Sequence, residues 1–252
     1  MNYDYILQAI LDIGEEMLVS GAEVSRVEDS ITRMCESYGA TRINVFIITS
    51  NIQVTMEAPD RQIHTHIRRL DRYDVNFDRL DFLNDLSRYV CQNTPDADKI
   101  LQKLDEVLNR PQQTKLFRFI GSILVAAGFA VFFGGNLQDA FASIIMGGVI
   151  AFIEIFLAQY ERNQIVYHFL TSVVSGFTAI FLVRCGIGTD QGIIMIAGIM
   201  LLIPGIAMTN AVRDMLIGDI AAGTLRLVNT LLVAASIACG FVVSIVLTGG
   251  AV

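Results

Sequence analysis

The sequence predicts an α-helical polytopic membrane protein of about five transmembrane helices, with an N-terminal cytoplasmic α+β domain. Three observations predict it. First, charge is segregated along the 252 residues: of 18 Lys/Arg and 25 Asp/Glu, residues 119–252 hold four and six, and residues 1–118 hold the other 14 and 19. Second, the weakly charged part contains apolar stretches of about 20 residues, each enough to cross roughly 30 Å of hydrocarbon. Third, the charged part changes its hydrophobic period from helical spacing to alternation and back, as a small α+β domain does. A polar linker, Asn109–Lys115, divides a domain over residues 1–115 from a membrane domain over residues 116–252.

In the first domain, Ile6, Ile10, Ile13 and Met17 fall on one helical face, giving a helix over about 3–19 that stops at Ser20-Gly21. A second helix over 22–38 places Val24, Val27, Ile31 and Met34 inward and ends at Gly39. Alternation then predicts strands over 43–49, 52–58 and 62–68, separated by turns at Ser50-Asn51 and Pro59-Asp60. Two helices close the domain, over about 78–92 and 95–109. The second is expected to start on Thr94 as N-cap, with Pro95 in its first helical position.

Five spans read as about 117–135, 139–159, 165–184, 191–211 and 226–248. Small residues recur within them, as in Ser122-xxx-Ala126 and Ser143-xxx-Gly147, which permits close helix contact. With the N-terminus in the cytoplasm, Arg110, Lys115, Arg118, Arg162, Arg213 and Arg226 flank the spans on that side. Only Arg184 lies opposite. Residues 1–20 hold Asp4, Asp12, Glu15 and Glu16 and no basic segment leading an apolar run, so no signal peptide is expected. The cell membrane is the expected location. An odd number of spans suits a unit that pairs with an oppositely oriented half, the arrangement of inverted-repeat transporters.

Ionisable groups in or beside hydrocarbon default to a substrate or ion path. The stretch Leu201–Arg226 concentrates them: Pro204-Gly205 breaks the fourth span, and Thr209, Asn210, Arg213, Asp214, Gly218 and Asp219 follow. Asn210 and Asp214 share a helical face, and Thr209 and Arg213 share the next. A solvated loop is the competing reading, but a helix break combined with acids favours a path. Glu154 interrupts the second span, either as a path residue or as a group reaching the interface; His168 enters the third as a packing or relay histidine.

In the soluble part Gly21, Glu23, Arg26 and Glu28 form a compact motif, in which spacing alone suggests only an exposed Glu23–Arg26 pair. His64 and His66 share a strand face, but no third ligand is identifiable by spacing, so no metal is assigned. Cys35, Cys91, Cys185 and Cys239 are isolated and read as free thiols. No phosphate loop, nucleophile elbow or HExxH motif is present, which argues against an ATP-driven pump or a hydrolase. The net charge of −7 argues against nucleic acid as partner. No cofactor and no catalytic residue are expected.

The segments SGAEVSRVEDSITRMCESYGA and IPGIAMTNAVRDMLIGDIAAGTLRL, in this order, resemble the threonine/serine exporter (ThrE) family. The matching positions are Gly21, Glu23, Arg26, Val27 and Glu28, then Pro204, Gly205, Thr209, Asn210, Arg213, Asp214, Gly218, Asp219, Gly223 and Arg226. The resemblance implies a cytoplasmic domain followed by a membrane domain that exports small metabolites. Fused members of the family have about ten spans, so a five-span chain is similar to the split, YjjP-type subunit, which works with a smaller YjjB-type membrane partner. Fused members imply threonine and serine as substrates, and split ones succinate. Without such a partner a homo-oligomer is expected. The rival expectation is a membrane-anchored regulatory or hydrolase-like protein whose activity resides in residues 1–115.

Overall fold

The computed structural model describes residues 2–48, 51–70, 75–111, 114–157 and 163–249. Thr49 of the first expected strand, Ser50 of the first turn, Gln112 and Gln113 of the linker, residues 158–159 of the second expected span and the flanking Arg162 lie outside the described residues. In chain order the elements are α1 (Tyr3–Val19), α2 (Val24–Ser37), β1 (Thr41–Ile48), β2 (Asn51–Glu57), β3 (Ile63–Arg69), α3 (Phe77–Asn93) and α4 (Ala97–Leu108). Then follow α5 (Lys115–Phe132), α6 (Leu137–Leu157), α7 (Gln164–Arg184), α8 (Gln191–Leu202), α9 (Gly205–Ile217) and α10 (Ile220–Leu247). Two compact units result: Met1–Gln112 with Ile206–Leu227, and Gln113–Gly205 with Val228–Val252.

The first unit is built around α1. The four residues expected on its inner face are at most 2% exposed, but so are Leu7 and Leu11, and Leu18 is buried as well. The helix is enclosed on most sides because α2, α3, α4 and β3 all pack on it. Each fully buried aliphatic side chain contributes about 1.5–3 kcal/mol. Gly14 allows α2 its close approach, since a Cβ there would meet Ile31 Cδ1 at 2.7 Å. The strands form an antiparallel sheet in the order β1-β2-β3. Val45 pairs with Val54 and Val54 with His66. Ile47, Ile52, Val54 and Met56 are buried, whereas Phe46, Ile63 and Ile67 are exposed.

Two local expectations are corrected. Thr94 does not cap α4; it ends α3 in the left-handed region at φ 40°, and Asp96 is the residue before α4. An N-cap needs extended backbone, whereas Thr94 takes the left-handed conformation that closes α3, so the start of α4 moves on to Asp96, which is extended at ψ 154°. The freed Pro95 carbonyl accepts a hydrogen bond from the Tyr38 hydroxyl at 2.6 Å. The second correction concerns Glu23, which precedes α2 in extended conformation (ψ 147°) and so does not stand one helical turn below Arg26.

Among the described residues four helices (α5, α6, α7 and α10) are long and apolar enough to cross a membrane, and five if α8 and α9 form one bent span. The chain is thus a mostly helical polytopic membrane protein with a small N-terminal sheet. In the second unit the two small-residue motifs seen in the sequence meet: a Cβ on Gly147 would lie 2.9 Å from both Ala126 Cβ and the Ser122 carbonyl oxygen. Asp139, at the start of α6, is 2% exposed. Its Oδ1 accepts from the backbone N–H groups of Thr189 (2.7 Å) and Asp190 (2.9 Å), while its Oδ2 accepts from that of Asn136 at 3.2 Å. The Thr189 hydroxyl donates to it too. This satisfied carboxylate ties the α5–α6 turn to the α7–α8 turn, a role its lone position in the sequence did not reveal.

Candidate functional site

Residues 21–28 and 210–226 are about 190 positions apart, yet the fold brings them together inside the first unit. Gly21 turns the chain between α1 and α2 at φ 98°, where a side chain is disfavoured. Its carbonyl accepts a hydrogen bond from Asn210 Nδ2 at 3.3 Å. Two residues on, Glu23 Oε1 accepts from Arg213 at 2.6 Å. The Asp214 carboxylate lies beside the Val24 N–H at the first turn of α2, where free amides and the helix dipole favour an anion.

The break at Pro204 sets this geometry. α8 ends at Leu202, and α9 restarts at Gly205 as a separate helix. Asn210, Ala211 and Asp214 lie on its buried side, while Thr209 and Arg213 are exposed. Gly218, at φ 113°, ends α9 and allows Asp219 N–H to donate to the Asp214 carbonyl at 2.9 Å. α10 folds back so tightly that a Cβ on Gly223 would lie 2.7 Å from the Ala211 carbonyl oxygen. That approach places Arg226 beside Asp214, with 3.0 Å between Arg226 Nη1 and Asp214 Oδ2.

The site therefore contains two ion pairs of different character. Asp214 and Arg226 are buried, with side chains 0% and 8% exposed, so their pair is shielded from solvent. Arg213 is 59% and Glu23 21% exposed, which leaves that pair open to competition. Glu28 and Asp219 add two carboxylates, and among the described residues neither forms an ion pair. Burial pushes the Glu28 carboxyl up, Asp219 adds to the push, the Ile47 N–H opposes it and Asp214 raises it again. Folded chain thus holds a proton on Glu28 more tightly than unfolded chain does. The associated stability is complete below the usual glutamate value of about 4.3 and is lost as pH rises through the raised one. The Glu28→Gln variant keeps an acceptor for Ile47. It is expected to melt with the wild type near pH 4 and above it near pH 7; a wild-type advantage at pH 7 in thermal melts would contradict this.

Other candidates fall elsewhere. Glu154 pairs with Arg118, joining α6 to α5; Arg118 is exposed and Glu154 half-buried. His168 Nδ1 lies 2.7 Å from the Gln164 carbonyl oxygen on its own helix. His64 and His66 both face Asp4 of α1, at 3.4 and 2.8 Å. Arg26 is exposed on α2, while its neighbour Asp29 pairs with Arg33. Arg226 carries its weight through Asp214, a pairing visible only once α9 and α10 are folded against one another.

A family model described as "Putative threonine/serine exporter" matches residues 8–248. A curated relative, described as "Probable threonine/serine exporter" from Mycobacterium tuberculosis (strain ATCC 25618 / H37Rv), is 21% identical over 244 residues, covering 95% of this chain and 46% of the relative. The chain spans about half the length of that relative. No solved structure matches.

Proposed function

Because the chain belongs to the threonine/serine exporter family, we propose that it is one subunit of a secondary exporter for small carboxylate-bearing metabolites, threonine and serine or dicarboxylates such as succinate. It would work in the cell membrane with residues 1–115 in the cytoplasm. A smaller YjjB-type membrane subunit would complete it, in keeping with a relative twice its length; a second copy of this chain is the other candidate.

The observation that carries this reading is the joining of Gly21–Glu28 to α9 immediately after the Pro204 break. The exposed Glu23–Arg213 pair offers both signs of charge at 2.6 Å. A substrate carboxylate would compete with Glu23 for Arg213, whose guanidinium suits bidentate carboxylate binding. A substrate ammonium would take Glu23, or Asp219 beside Glu28. Asp214 would remain held by Arg226 and by the start of α2, keeping α9 in register while the outer pair exchanges. Pro204-Gly205 would supply the discontinuity that lets α9 rearrange. Thr209 and Asn210 would line the approach, Gly218 would set the turn, and Glu154 with Arg118 would form a separate polar contact at the end of α6.

Export from proteoliposomes containing this chain and its partner tests the reading. Glu23→Arg and Arg213→Glu are each expected to lower flux at least tenfold, and the double reversal to restore part of it. If Asp214→Asn and Asp219→Asn both leave flux unchanged, the site is wrongly assigned. Retention of a ligand-binding or hydrolytic activity by a chain lacking flux would favour an anchored enzyme instead.

A further inference from the structure

The serine and threonine hydroxyls within the helices of the second unit, or capping their turns, include two unlike sets. A serine or threonine inside a helix ordinarily turns its hydroxyl back onto a carbonyl of the preceding turn. Thr171, Thr178, Ser236, Ser244 and Thr248 all do so, at 2.7–2.8 Å. Ser172 and Ser175 do not. Both are 0% exposed, and neither hydroxyl has a hydrogen-bond partner among the described residues. An unmade hydrogen bond in a buried place costs about 1–3 kcal/mol, and hydrocarbon supplies no water to relieve it.

Their position is equally specific. Ser172 stands eight residues from the start of α7 and Ser175 nine from its end, or about 12–14 Å from the nearer end at 1.5 Å per residue. Both therefore lie near the middle of the span. Ser172 faces the glycine of the crossing helix: a Cβ on Gly240 would lie 2.7 Å from Ser172 Cβ. Ser143 is a third unpartnered hydroxyl. It lies one turn from Gly147, on the α6 face that meets α5, and so belongs to another helix pair.

We propose that Ser172 and Ser175 form a hydrogen-bonding station at mid-membrane for an uncharged donor or acceptor group of the transported solute, such as its hydroxyl or a water that accompanies it. The inference rests on the transport reading but names a place that the charged cluster of the first unit does not include. The two hydroxyls wait unpaired because their partner is transient. Charged anchors are missing at this depth of α7, so the station recognises polarity without holding the solute tightly, as a step along a path requires.

Proteoliposome export of L-serine and L-alanine by the full chain with its partner tests the station. Ser172→Ala and Ser175→Ala are expected to raise KM for L-serine at least fivefold, with less effect on L-alanine. Their melting temperatures should equal or exceed that of the wild type, since each removes an unpaired buried hydroxyl. Thr171→Ala and Ser244→Ala remove hydroxyls already paired and are expected to keep KM within twofold. Unchanged KM in both Ser172→Ala and Ser175→Ala overturns the station and leaves the transport reading standing. An independent arm uses Ser175→Cys in a chain whose four native cysteines are replaced by alanine. A charged methanethiosulfonate, which reacts from water, is expected to label it. Absence of labelling overturns the station even if no flux is measured, whereas absence of wild-type flux alone counts against the transport reading.

Discussion

Replacing Asp214 with alanine is expected to destabilise the first unit by about 3–5 kcal/mol, the usual cost of removing one partner of a buried ion pair. Asp214 is fully buried and Arg226 nearly so, which means that solvent cannot take over the charge left behind. The loss is a large share of a total stability of about 5–15 kcal/mol. Thermal melts in detergent, and protease resistance of residues 1–112, would read it. Substituting both residues, Asp214→Leu with Arg226→Leu, is expected to recover most of the melting temperature, because an apolar pair of similar volume replaces a buried ion pair at little cost. Transport is expected to return with stability in the double variant, since Asp214 and Arg226 hold α9 in register and the Glu23–Arg213 pair is left intact. If stability returns without flux, the two charges take part in transport themselves; if stability does not return, the buried pair is not what Asp214 supplies.

The contrast between this pair and Glu23–Arg213 explains how much of the site was legible in the sequence. The residue types were visible, because a proline and several charges are expensive beside a bilayer and therefore stand out. The helices and strands were visible for a similar reason: Ile6, Ile10, Ile13 and Met17 repeat at helical spacing, and the three strands alternate. Partners were not visible. Spacing gave Glu23 to Arg26, its neighbour on an ideal helix, whereas the extended conformation at Glu23 turns its side chain to Arg213. Only the tertiary fold brings residues about 190 apart into contact, and one sequence does not record that. Asp139 was missed for the same reason. Its partners Thr189 and Asp190 lie two helices away, and the carboxylate is silent until the turns meet.

The crossing of α7 and α10 carries the second large effect. On α7, Ser172 and Gly176 stand four apart; on α10, Gly240 and Ser244 do the same. These two small-residue motifs face each other, for a Cβ on Gly176 would overlap Ser244 and one on Gly240 would meet Ser172. The obstacles at Gly240 include backbone: the Phe169 carbonyl oxygen at 2.7 Å and the Val173 nitrogen at 3.1 Å. Backbone cannot swing aside as a side chain does, so Gly240→Val must push the helices apart. The expected cost is at the upper end of the 1–3 kcal/mol typical of overpacking. It falls on an interface where packing, not the hydrophobic effect, drives association. Gly240→Val is therefore expected to lose the monodisperse species in detergent gel filtration, with Gly240→Ala intermediate. Wild-type behaviour of both would mean that the crossing is looser than these distances require. The gradation also bears on transport: if Gly240→Ala keeps its fold yet loses flux, the closeness of α7 and α10 at Ser172 matters for movement as well as for assembly.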